Sequence, residues 1–128
     1  MGFYDVVIVG AGPAGIFTAL ELKEKAPSRT ILLVDEGPGI DRRACPSRQT
    51  GRCVHCKPCN IMSGWAGAGA FSDGKLSLSE EVGGNITEYM SREEARELIA
   101  YADSIYTRFG APEQVHGLND KKVEEIDY

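Results

Sequence analysis

The chain has 128 residues, 42% of them hydrophobic and 26% charged, with a formal net charge of −5. That length suits one small globular domain with a core of its own. The negative balance argues against general nucleic-acid binding, and no apolar run approaches the ~20 residues of a bilayer span, so neither nucleic acid nor membrane is an expected partner. Asp5 stands where a secretory leader would place its charged and apolar regions, so no leader is expected and the expected location is cytoplasmic.

Residues 4–9 form a short β-branched run, Tyr4-Asp5-Val6-Val7-Ile8-Val9, that ends in Gly10 and reads as a strand buried on both faces. A helix is predicted from Pro13 to about Lys25, with Ile16, Ala19, Leu20 and Leu22 on its apolar face and Pro27 as its stop. Thr30 to Val34 reads as a second buried strand, and strand, helix and parallel strand make a right-handed crossover unit over residues 1–40.

Residues 41–84 form a cysteine- and glycine-rich loop region. Its first part, 41–59, sets Arg42, Arg43, Arg48, Arg52 and Lys57 against the single acid Asp41, and an irregular basic loop is expected. Its second part, 60–84, holds Gly64, Gly67, Gly69, Gly74, Gly83 and Gly84. Trp65, Phe71, Leu76 and Leu78 interleave with them, which favours packed, tightly turning backbone over a flexible linker. Residues 85–128 are expected to be mainly helical. Ser91-Arg92-Glu93-Glu94 fits a capping box, Ala95, Leu98, Ile99, Ala102, Ile105, Tyr106 and Phe109 follow helical spacing, and Gly110 and Pro112 end the helix. Asn119 or Asp120 is expected to cap a further helix toward Tyr128.

Gly10-Ala11-Gly12-Pro13-Ala14-Gly15 is a G-x-G-x-x-G sequence, and its context between a strand and a helix makes it informative. Gly10 permits the tight turn, Gly12 leaves room for a pyrophosphate, and Gly15 lets helix and strand pack closely. The phosphates would lie at the helix N-terminus, where unpaired N–H groups favour anions. Asp35, at the end of the second strand, is placed to accept hydrogen bonds from ribose hydroxyls and to repel a 2′-phosphate, with Glu36 as its substitute in that role. The pattern does not separate FAD from NAD.

The four cysteines all lie between residues 45 and 59: Cys45, Cys53, Cys56 and Cys59. Such clustering in a chain without an export signal reads as metal or redox chemistry. The C-x2-C-x2-C run is commoner around iron–sulfur clusters, and structural zinc more often uses two separated pairs. An iron–sulfur cluster, zinc, redox-active or disulfide-forming thiols, and plain reduced thiols all stay open. The basic surroundings would lower the thiol pKa values and offset thiolate charge. His55 reads as a solvated loop residue rather than a ligand, and His116, after a turn, as structural or exposed.

The stretches DVVIVGAGPAGIFTALEL at 5–22 and CVHCKPCNIMSGWAGAGAFSDGKLSL at 53–78 resemble the FAD-dependent dehydrogenase family, with Ala66 where that family usually has glycine. The resemblance implies an α/β, Rossmann-like FAD/NAD(P)-binding fold, incomplete at its C-terminus, of which residues 1–128 are the N-terminal part. It implies FAD as cofactor, with NAD a candidate co-substrate, and an oxidoreductase activity once the missing C-terminal regions complete it. It also implies that Gly64 to Lys75 is a second cofactor loop. There Gly67, Gly69 and Gly74 bring backbone amides to phosphate or flavin oxygens, Ser72 offers a hydroxyl, Lys75 a positive charge, and Trp65 and Phe71 pack on a ring system; the alternative reading of the same residues is Trp65 and Phe71 as core, Asp73-Gly74 as a turn and Lys75 as solvated. The alternative is a non-catalytic nucleotide- or metal-binding module. No catalytic acid or base stands out, and the substrate, the electron partner and the oligomeric state are not indicated.

Overall fold

A computed structural model describes residues 2–116, and the chain divides into two compact units, Met1–Gly74 and Lys75–Tyr128. The further helix expected around Asn119 lies outside the described residues.

The first unit is built on a strand, a helix and a strand. β1 (Val6–Val9) and β2 (Ile31–Val34) pair in parallel, with Val6 opposite Ile31 and Val9 opposite Val34. α1 (Pro13–Lys25) joins them and packs against both. Pro13 presets the first helical φ, and Lys23 and Lys25 place positive charge at the negative end of the helix dipole. The chain leaves the helix at Ala26, whose N–H donates to Leu22 O at 2.8 Å. The strands are not buried on both faces, as their composition led one to expect. Val6 and Ile8 are half-buried, but Val7 is 54% and Val9 83% exposed. A single crossover helix covers one face of the two-stranded sheet, and among the described residues the Val7 and Val9 side of β1 is exposed. The expected sizeable core is small for the same reason. Among the described residues the buried apolar side chains are Ala11, Ala95 and Ile105.

An aspartate ties the strands together at the start of β1. Asp5 Oδ2 accepts from the Thr30 N–H at 2.7 Å and the Thr30 hydroxyl at 2.8 Å, while Oδ1 accepts from Arg29 at 3.0 Å. In return the Asp5 N–H donates to Thr30 O at 3.0 Å.

The basic loop is less irregular than expected. Ile40–Arg42 form a 3-10 turn, and Ser47–Thr50 form a single helical turn, α2. Gly51 closes α2 at a φ of 70°, donating its N–H to Ser47 O at 2.9 Å.

The second unit centres on α3 (Arg92–Arg108). Its start is the expected capping box: Ser91 Oγ accepts from the Glu94 N–H at 3.2 Å, and Glu94 Oε2 accepts from the Ser91 N–H at 2.9 Å. Ala95 and Ile105 of its apolar face are buried, whereas Leu98 and Phe109 are exposed. Glu80 is buried and accepts from Arg96 at 2.7 Å and Arg92 at 3.3 Å. No helix among the described residues is long and apolar enough to cross a membrane.

The Asp5 contacts set a pH dependence. The Thr30 amide first, then the Thr30 hydroxyl and Arg29, hold the Asp5 carboxyl down at about 2. In the unfolded chain it titrates near ~4. A depressed carboxyl stabilises the fold above its unfolded pKa, and that contribution disappears as pH falls from about 4 to about 2. Asp5→Asn is therefore expected to be less stable than the parent at pH 7, with the difference shrinking as the pH approaches 2. Urea melts across that range check it; a difference that stays constant down to pH 2 would remove the linkage.

Candidate functional site

The C-terminal ends of β1 and β2 carry three segments that meet: residues 10–15, 35–38 and 63–67. Gly10 continues the ladder, its N–H donating to Val34 O at 2.7 Å, and turns the chain at a φ of 102°. A Cβ on Gly15 would lie 1.9 Å from Gly10 O, so only glycine lets α1 cross β1 here. Gly12 is different. It is the N-cap of α1, its backbone is extended, and a Cβ there would meet nothing within 4 Å. No side chain caps that first turn, no acid lies in it, and Pro13 brings no N–H. The first backbone bond of the helix runs from the Ile16 N–H to Gly12 O at 3.0 Å. Pro13 and Ala14 are exposed at its mouth. The turn thus presents unpaired helix-start amides beside open space, which suits an anion.

Asp35 organises the surroundings of that turn. Its Oδ2 accepts from the Ala11 N–H at 2.8 Å, and its Oδ1 accepts from Gly37 at 2.9 Å and Gly64 at 2.6 Å. The Ala11 amide foremost, then those of Gly37 and Gly64 with the charge of Arg43, hold its carboxyl below the ordinary range against partial burial. A carboxylate has about four acceptor positions, so the protein itself fills most of those on the residue expected to face a ribose. Glu36 is exposed, and its Oε1 accepts from the Ser63 hydroxyl at 2.6 Å.

The glycine-rich stretch is docked on this edge. Ala66 N–H donates to Ala11 O at 2.8 Å, and Trp65 N–H to Pro38 O at 3.2 Å. Backbones come close enough that a Cβ on Gly37 would stand 2.4 Å from Gly64 N, and one on Gly67 3.1 Å from Gly12 Cα. Gly67 is buried in this contact. Gly69 faces Pro13, with its ideal Cβ 3.8 Å from Pro13 Cγ. Residues 10–15, Asp35 and Gly67 are therefore gathered at one edge. Ser72 is exposed, its hydroxyl accepting from the Gly74 N–H at 3.1 Å. Lys75 is exposed and is the first residue of the second unit.

The residue that sequence reasoning missed is Arg43. It is 7% exposed. Its Nε donates to Asn60 O at 2.9 Å, its Nη1 to Trp65 O and Gly67 O at 2.6 Å each, and its Nη2 to Ile61 O at 2.5 Å. The guanidinium also stands 4.8 Å from the centre of the Phe71 ring, which Arg48 approaches at 5.5 Å. Nothing local marks it: an arginine among Arg42, Arg48 and Arg52 in a basic loop reads as solvated. Trp65 is 46% exposed.

The four cysteines are free thiols, with Cys45 and Cys56 half-buried and Cys53 and Cys59 exposed. Cys45 Sγ lies 3.0 Å from Ser47 Oγ. That contact, then the Ser47 amide and the nearby Arg48 charge, lower the Cys45 thiol. Among the described residues no three His, Cys, Asp or Glu side chains are gathered as an ion's ligands. His55 and His116 are exposed.

Comparison with protein-family models finds no matching family, and comparison with curated proteins and with solved structures finds no match to either.

Two outcomes follow from this geometry. Arg43→Met strands four carbonyls without their donor, and the first unit is expected to lose about 3 kcal/mol or more. Arg43→Lys, with one ammonium for four spread acceptors, should recover only part of it. Chemical denaturation measures both; a Met variant as stable as the parent would mean that water replaces the guanidinium. Ala66 has a φ of 68°, a conformation that costs an L-residue about 1–2 kcal/mol. Ala66→Gly relieves it but loses roughly 0.4–1 kcal/mol to unfolded-chain entropy. The net expectation is a gain of between zero and about 1.6 kcal/mol, read as a rise in Tm, and a fall in Tm would count against strain at this position.

Proposed function

We propose that this chain is the dinucleotide-binding portion of an FAD-dependent oxidoreductase and that it takes the ADP half of FAD over residues 10–15. The observation that carries this reading is the open space over Gly12 at an uncapped helix start, closed in on one side by Gly67. The pyrophosphate would lie over Gly12 to Gly15, against the first-turn amides of α1. Asp35 fixes Ala11, Gly37 and Gly64 around it, and its remaining acceptor position, with the Glu36 carboxylate beside it, would meet the ribose. Two carboxylates there disfavour a 2′-phosphate. Gly67, Gly69 and Ser72 would border the far side of the phosphates. When bound, the flavin supplies the hydride and electron chemistry; the residues of this chain bind and orient it.

Gly12→Val is the decisive variant. The position is extended backbone with nothing within 4 Å of a Cβ, so the fold should tolerate valine while phosphate oxygens lose their approach. Calorimetry with ADP and with FAD is expected to show at least a tenfold loss of affinity, ~1.4 kcal/mol. The parent is expected to bind FAD little more tightly than ADP, because the contacts proposed here all lie on the ADP half, and to prefer ADP to its 2′-phosphorylated form. Unchanged ADP affinity in a folded Gly12→Val variant would refute the site. Glu36→Ala tests the ribose contact better than an Asp35 variant, which would also release three backbone amides.

A further inference from the structure

We propose that residues 45–59 are a metal-binding loop in which Cys45, Cys53, Cys56 and Cys59 close as four thiolates around one thiophilic centre, on a base that Arg43 and Asn60 already pin shut. This site is separate from the dinucleotide reading and does not rest on it.

The first support is the loop's base. Asn60 Nδ2 donates to Ala44 O at 2.9 Å, and Arg43, the residue before Ala44, donates to Asn60 O at 2.9 Å and to Ile61 O at 2.5 Å. Cys45 directly follows Ala44, and Cys59 directly precedes Asn60. The first and last thiols of the set are thus carried by the neighbours of a hydrogen-bonded pair, and the entropy of closing the loop is already spent before any ion arrives.

The second support is the turn between the middle thiols. His55, at a φ of 53°, directs its N–H to Cys53 Sγ at 3.4 Å. An amide aimed at sulfur is the kind of outer contact that orients and tunes a metal-bound sulfur.

The third is freedom to close. Among the described residues no backbone–backbone hydrogen bond involves Arg52 to Pro58, while the Cys45 carbonyl accepts from Arg48 and the Cys59 carbonyl from Met62 and Ser63, so the middle thiols can move toward an anchored first and last. Cys53 and Cys59 are exposed and Cys45 and Cys56 half-buried. The side chains are not gathered as they stand; binding would gather them, much as ligands assemble when metal binding is coupled to folding. The fourth is charge. Residues 41–59 carry five basic side chains and one acid, which offsets the negative charge of four thiolates. A Zn2+ ion would displace the four thiol protons to solvent with no change of oxidation state. A preformed iron–sulfur cluster, transferred from a donor, would take up the same four thiolates and likewise release their protons to solvent.

The test uses the full chain, purified without oxygen. Metal and labile-sulfide analysis comes first: zinc near one per chain identifies a mononuclear site, and iron with matching sulfide a cluster. Co2+ titrated into the reduced, metal-free chain should then give thiolate-to-metal charge transfer that saturates at one ion per chain and is displaced by Zn2+. All four thiols should become protected from alkylation together. Each single Cys→Ser change should lower Zn2+ affinity at least tenfold. Asn60→Ala keeps every thiol and should still weaken Zn2+ several-fold through the loss of the pinned base. Far-ultraviolet circular dichroism shows whether each variant is folded. Thiols that alkylate equally fast with and without Zn2+, in a chain isolated with neither metal, would overturn the proposal. A Cys45 or Cys59 variant that binds Zn2+ as the parent does would overturn the four-thiol set.

Discussion

Residues 60–67 have almost no regular structure, yet they lie against the ends of two four-residue strands. Their backbone amides and carbonyls still require partners. Two side chains of opposite charge provide many of them, alongside backbone bonds to Ala11 and Pro38. Arg43 supplies donors to the carbonyls of Asn60, Ile61, Trp65 and Gly67, while Asp35 accepts the amides of Ala11, Gly37 and Gly64. A parallel pair this short is marginal by itself. Its C-terminal edge becomes a defined surface because these two groups clamp a loop onto it, and the charges that do so also lie close enough to favour each other.

That clamp separates the glycines into two kinds. Gly15, Gly37 and Gly64 are needed where one backbone runs into another, at ideal Cβ separations of 1.9 to 2.5 Å from the facing atoms. A Cβ on Gly12 would meet nothing within 4 Å. At the N-cap of a thirteen-residue helix that no side chain caps, that space is what the proposed phosphate would need. The contrast between Gly15 and Gly12, three residues apart, says more about function than the G-x-G-x-x-G spacing does.

The local elements were legible in the sequence. Pro13 and Pro27 bracket α1, the β-branched runs mark both strands, and Ser91 with Glu94 marks the start of α3. These features are set within a few residues by capping, proline geometry and side-chain branching. The convergence of Gly10–Gly15 with Asp35 was also legible, because the strand–helix–strand unit dictates it. Burial was not. Val7 and Val9 have the composition of a strand covered on both sides, and composition does not say how many layers are present to cover it. Arg43 was not legible either. Its four acceptors lie 17 to 24 residues away in irregular backbone, and no periodicity links a loop arginine to a loop carbonyl.

Arg43 also belongs to both candidate sites. Its Nε and Nη2 hold Asn60 and Ile61, beside Cys59, and its Nη1 holds Trp65 and Gly67, beside Gly12. One rigid, planar group bonded on two sides cannot shift toward one set of carbonyls without straining the other. Closing the proposed cysteine loop would act on Asn60, and the proposed phosphate over Gly12 would act on Gly67, so each event would meet the same guanidinium. If either changes the Arg43 geometry, the other is affected by an equal coupling free energy, since linkage between two binding events is reciprocal. Arg43→Lys, by loosening the shared contact, should change that coupling more than it changes the binding of either ligand alone. Zn2+ titrations with and without saturating ADP, in the parent and in Arg43→Lys, would measure it; equal Zn2+ affinity in both states of the parent would show that the two sites share a residue without sharing energy.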